Sequence, residues 1–126
     1  MLRIEERGGL LFIEALGTIS VEEMEAHFRE LQAIAERTTG DVATVIDART
    51  VDLKSLRGAH RDCAVDNLRR LKPLVAHRYV AQAMVLSTAW GRGLTRMLHL
   101  FVKPAQHTKA FASVLPAEAW ARSHLR

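Results

Sequence analysis

The stretch DVATVIDARTVDLKSLRG, residues 41–58, opens with Val42, Ala43, Thr44, Val45 and Ile46 and turns polar at Asp47. A run of small, apolar and β-branched side chains suits a short strand covered on both faces, the usual condition of a parallel strand. Asp47 is expected to end that strand. Beyond it a helical pattern starts at about Ser55 and continues to Leu71, with Leu56, Ala59, Cys63, Leu68 and Leu71 as its buried side, until Pro73 ends or kinks it. A strand followed by an amphipathic helix is half of a βαβ unit, and the flanking segments supply the rest.

Upstream, Ser20 and Glu23 have the spacing of a capping box, in which a serine oxygen and a glutamate carboxylate satisfy amides left free at a helix start. Val21, Met24, Phe28, Leu31 and Ala35 then recur every three or four residues, predicting a helix of about 18 residues laid on a sheet. Thr38, Thr39 and Gly40 are expected to stop it, with the glycine in the left-handed conformation. Residues 10–16 are apolar except at Glu14 and end at Gly17, and Gly8 and Gly9 separate them from a first strand over residues 2–7 in the manner of a tight hairpin. Downstream, residues 78–86 read as a central strand. Ser87 or Thr88 then caps a helix over 90–102 whose apolar members are Trp90, Leu94, Met97, Leu98 and Phe101. A weaker strand over 108–113 follows, and Pro116 opens a last helix anchored by Trp120 and Leu125. The predicted order β-β-α-β-α-β-α-β-α describes a single α/β domain over residues 1–126, with a mostly parallel mixed sheet, an N-terminal hairpin and about four helices.

Composition fits that expectation: 126 residues, 48% hydrophobic and 25% charged, are enough to bury a core and far from a disordered mixture. Cys63 is the only cysteine, which excludes an internal disulfide and a cluster of thiolates around zinc. Charges interrupt every apolar stretch of MLRIEERGG, and no run approaches the roughly 18 apolar residues that cross a bilayer, so a cytoplasmic location is expected. The net charge of +4 is unevenly spread. Residues 1–59 hold seven Lys or Arg against eleven Asp or Glu, whereas residues 60–126 hold eleven against three. Such asymmetry suits an anionic membrane surface, an acidic protein or head-to-tail self-association. Basic residues spaced singly through helices, without an aromatic RNA-binding signature, weigh against nucleic acid.

Four segments carry a resemblance: TISVEEMEAHFRELQAIAE, VATVIDART, VAQAMVLSTAW and KAFASVLPAEAWARSHL. Together they resemble the STAS domain of anti-sigma factor antagonists over nearly the whole chain, and within it the divergent SpoIIAA-like, or STAS/SEC14-like, group. The last segment is the most characteristic, being a short strand, a small loop and a tryptophan-bearing helix. The resemblance implies a regulatory protein-binding module with an acidic or polar residue at the end of the core strand and an Asp-Ser phosphorylation pair at the next helix start. Asp47 matches the first position. The pair itself is absent, because Leu53 and Lys54 separate Asp52 from Ser55.

Asp47, Arg49, Asp52, Ser55 and Gly58 form the candidate binding rim, since open α/β sheets take ligands beyond the carboxyl ends of their strands. Arg92, Arg96, His99 and Lys103 make a basic stripe with no acidic member, suited to an anionic surface, and Trp90, Met97 and Phe101 could border a pocket for a lipid or another hydrophobic small molecule. Gly91 and Gly93 flank Arg92 without completing a nucleotide-binding fingerprint. The histidines form neither HxH nor HExxH, and His60 with Cys63 is the nearest approach to a nucleophile and base. No metal site, cofactor or catalytic group is expected. A protein-binding regulator, with a partner protein or a second copy, is therefore read ahead of a lipid carrier, and an enzyme using His60 or His99 comes third.

Overall fold

In the computed structural model, which describes residues 1–87 and 107–125, the chain starts as a hairpin. Gly8 (φ 55°) and Gly9 (φ 86°) both occupy the left-handed region. A two-residue turn with that pair of angles matches the twist of the strands it joins, here β1 (Leu2–Arg7) and β2 (Leu10–Gly17). β2 then pairs in parallel with β3 (Val42–Val51), β3 with β4 (Tyr79–Val85), and β4 with β5 (His107–Phe111), so the sheet order follows the chain from β1 to β5. Only the β1–β2 pair is antiparallel.

Helix α1 (Val21–Arg37) joins β2 to β3, and α2 (Gly58–Arg78) joins β3 to β4. They pack on each other over one face of the sheet, as successive crossovers of one hand must when the strands step in one direction. Phe28, Ile34 and Ala35 of α1, Ala64 and Leu71 of α2, and Leu11, Val42 and Tyr79 of the sheet form the apolar layer between them. The third helix, α3 (Val114–Ser123), lies on the opposite face. There Ala117 and Ala121 meet Leu10, Ala43, Val45, Ala81, Ala83 and Val85, all 0% exposed. Alternation along the strands decides this division, because Leu10 faces α3 while Leu11 faces the helix pair.

Several boundaries differ from the sequence expectation. β3 does not stop at Asp47 but continues to Val51, because β2 is also long enough to pair Leu16 with Thr50 and Gly17 with Val51. Its pairing with β4 does end at Asp47, opposite Val85. α1 ends on Thr38 and not on a left-handed Gly40: the Thr38 amide and hydroxyl both donate to the Ile34 carbonyl, at 3.0 and 2.6 Å, and the positive φ values belong to Gly8, Gly9 and Gly17. α2 passes through Pro73 to Arg78. Pro73 and Arg69 are both exposed, so the carbonyl deprived of a proline N–H can turn to solvent. Ala59, expected on the buried side, is exposed. α3 begins two residues before Pro116, which sits in its first turn. The helix expected over 90–102 lies outside the described residues; three α-helices are described.

Candidate functional site

At the carboxyl end of the sheet, apolar side chains give way to charge on adjacent strands at the same level. Glu14 of β2 and Asp47 of β3 are register neighbours, and Asp47 is in turn the neighbour of Val85. Asp47 is half-buried, and Arg49 satisfies it twice: Nε donates to Oδ1 and Nη2 to Oδ2, each at 2.9 Å, while the Arg49 amide adds a bond to Oδ1 at 3.2 Å. This guanidinium, chiefly through its hydrogen bond, holds the Asp47 carboxyl below its ordinary pKa against the opposing effect of burial. A depressed folded pKa stabilises the native state above the ordinary carboxylate range near pH 4, and the contribution disappears as pH falls through the folded value. Asp47→Asn should therefore flatten the loss of stability as pH falls below the ordinary carboxylate range near about pH 4 while changing the rest of the pH profile little, as thermal melts at falling pH would show.

Past β3 the chain turns sharply. The Asp52 amide donates to the Gly17 carbonyl at 2.9 Å, its carboxylate accepts from the Lys54 amide at 3.1 Å, and its carbonyl accepts from the Ser55 amide and hydroxyl at 3.1 and 2.6 Å. These bonds close a single 3₁₀ turn, Leu53–Ser55. Helix α2 accordingly starts at Gly58 and not at Ser55, with the Arg57 carbonyl accepting from the amides of His60 and Arg61. Ser87 closes the rim from the β4 side, its hydroxyl donating to the Arg49 carbonyl at 3.4 Å.

His60 holds this arrangement to the rest of the fold. Its Nδ1 accepts from the Arg57 amide at 3.0 Å, which assigns the ring proton to Nε2, and Nε2 donates to the Ile19 carbonyl at 2.6 Å. Both ring nitrogens are thus committed to backbone, latching the start of α2 to the loop before α1. Cys63, on the buried face one turn further, donates to Glu25 Oε1 at 3.3 Å and receives a contact from Asn67 Nδ2 at 3.5 Å. Burial, with the Glu25 carboxylate, pushes its thiol up to about 11. It should react with iodoacetamide at pH 8 many times more slowly than a free thiol and at the ordinary rate once urea unfolds the chain; mass spectrometry of quenched samples measures both.

The structure joins Asp47 to Arg49 and Asp52 to Ser55 along the segment that leaves β3, and Gly58 is exposed at the start of α2. Glu14, the register neighbour of Asp47, was missed as a member of this site, as was the exposed Leu115 at the start of α3, beyond the carboxyl end of β5. The signal for Glu14 was that it alone breaks an apolar strand; nothing in a sequence pattern marks Leu115, which is 79% exposed. Arg92, Arg96, His99 and Lys103, and the pocket candidates Trp90, Met97 and Phe101, lie outside the described residues. Among the described residues no three His, Cys, Asp or Glu side chains are placed to hold a metal ion, and no helix is long and apolar enough to cross a membrane.

No family model and no curated protein matches the chain. Its fold does match a solved structure, an uncharacterized protein of the DUF3478 family from Shewanella loihica PV-4 with a SpoIIAA-like fold. The TM-score is 0.63 at 20% identity, over 96% of this chain and 92% of that one. The chain therefore has the SpoIIAA-like α/β fold, with its N-terminal hairpin and mostly parallel sheet.

Proposed function

We propose that the chain is a non-catalytic regulatory module that binds a protein partner through the rim around residues 47–58. The observation that carries this reading is the paired grip of Arg49 on Asp47, which fixes an arginine side chain that is 43% exposed at the carboxyl ends of the strands. A carboxylate already holding two guanidinium bonds is a poor base, whereas a rigid, half-exposed arginine is a good contact. The chemistry near it supports the same reading. His60 has no free ring nitrogen and Cys63 is protonated, so neither can serve as base or nucleophile.

Lys54 and Arg57 are exposed, and neither side chain has an ion pair among the described residues. Leu115 projects at the same end of the sheet. A complementary partner surface is acidic around an apolar recess, since unlike charges steer association while a buried apolar anchor gives it strength. Without an adjacent Asp-Ser pair the reading does not include control by phosphorylation. Affinity selection from the cell extract, with immobilised wild-type chain and a Lys54→Glu, Arg57→Glu variant, tests it. The same protein should be enriched by the wild type and by a Glu36→Lys control on α1 but lost from the rim variant. Equal recovery by the rim variant would overturn the assignment of the surface.

A further inference from the structure

The outer edge of the sheet at β1 offers a second surface, independent of the rim. Met1 and Leu16 exchange both backbone bonds, the amine of Met1 reaching the Leu16 carbonyl at 2.7 Å and the Leu16 amide reaching the Met1 carbonyl at 2.8 Å. In an antiparallel pair, bonded and non-bonded positions alternate. The β1 register then places Arg3, Glu5 and Arg7 in bonded positions and turns the N–H and C=O groups of Leu2, Ile4 and Glu6 outward. Nothing pairs with that outer row among the described residues.

The side chains of Leu2 and Ile4 lean toward α1, and between them and the helix lies a cavity of about 330 Å³ walled by Glu23, Ala26, His27 and Glu30. His27 stands edge-on to Phe28, with ring centroids 5.7 Å apart. Its Nδ1 is buried without a hydrogen-bond partner, and burial pushes its pKa down to about 4, so the ring is neutral at physiological pH. Glu23 already faces an ammonium group, the amine of Met1 at 3.3 Å. Glu30 is exposed and has no ion pair among the described residues.

We infer that this edge accepts an extended, basic peptide segment of a partner protein as an added strand, with a lysine side chain lying in the α1–β1 cavity. An added strand would satisfy the outer row of backbone groups and place alternate side chains over the cavity. Lysine fits because its stem can lie on Leu2, Ile4 and Ala26 while its ammonium donates to the exposed carboxylate of Glu30 at the cavity mouth. A second copy of β1 fits worse. Two-fold pairing with both helix layers on the same side sets Ile4 against Ile4 and Leu2 against Glu6, whose carboxylate is already held by Arg37 at 2.7 Å, so the side chains of β1 bring no cation of their own to Glu30.

Amide NMR with an acetylated hexapeptide of alternating valine and lysine tests the inference on the whole chain. The amides of Leu2, Ile4 and Glu6 should shift, and those of Arg3 and Glu5, already bonded to β2, should shift less. Glu30→Gln should weaken binding about threefold, and Ile4→Pro, which removes an outward N–H and part of the apolar cavity wall, about tenfold. Should the proline variant fail to fold, the glutamine variant still decides. Equal binding of the valine–glutamate peptide, shifts confined to other surfaces, or concentration-dependent shifts at Leu2, Ile4 and Glu6 without peptide would each overturn it, the last by showing self-pairing. None of these results bears on the rim at residues 47–58.

Discussion

Phe28→Ala is expected to lower the stability of the fold by about 3–5 kcal/mol, the range for removing a buried aromatic ring. Phe28 is 8% exposed and is the largest α1 side chain in the layer that holds α1 and α2 to the sheet. The layer it belongs to draws on several elements: Leu11 and Val42 from the strands, Ala64 and Leu71 from α2, and Tyr79 at the start of β4. Tyr79 cannot close the gap, because its hydroxyl is tied to the Leu31 carbonyl at 2.6 Å. The cavity should therefore persist, and domains of this kind are commonly stable by only about 5–15 kcal/mol. Urea unfolding should show the midpoint falling with an unchanged slope. A loss below about 1 kcal/mol would mean that α1 is not seated as described.

The opposite face should be sensitive to the reverse change. Ala121→Leu is expected to cost about 1–3 kcal/mol or more, the usual penalty for forcing methyl groups into a filled core. α3 approaches the sheet on alanines: Ala117 and Ala121 of the helix and Ala43, Ala81 and Ala83 of the strands are all 0% exposed. Small side chains on both sides allow close approach and leave no space for a larger one. Ala119→Leu, on the exposed side of α3, is the control and should change stability by less than about 0.5 kcal/mol. Together the two substitutions test the placement of helices on both faces.

Local chemistry made much of this fold legible. Gly8 and Gly9 announced a hairpin because few other residues tolerate positive φ in succession. Ser20 announced α1, and its hydroxyl does accept from the Glu23 amide at 3.1 Å. The start of α2 differs from the expected Ser55 because the Asp52 carbonyl binds Ser55 back into a turn, a competition between local and helical bonding that pattern alone does not resolve. The end of β3 was misread for a different reason: Asp47 is polar, but β2 runs alongside and keeps the backbone paired to Val51. Pairing between distant segments overrides local preference in strands more readily than in helices.

The rim was legible in part. Asp47, Arg49, Asp52 and Ser55 were visible as a polar loop between a strand and a helix, and the pairing of Asp47 with Arg49 follows from their i, i+2 spacing along one side of an extended strand. Glu14 joined them only through the parallel register of β2 with β3. The latch of His60 on Ile19 spans 41 residues and could not be read from either segment alone.

The rim as a protein-docking surface is tested most directly by photocrosslinking in living cells. A benzophenone side chain placed at Lys54 should yield one discrete protein adduct, and Arg57→Glu in the same chain should abolish it, while the same probe at Ala33 on the exposed side of α1 should yield none. No discrete adduct from position 54, or one that survives Arg57→Glu unchanged, would contradict the assignment.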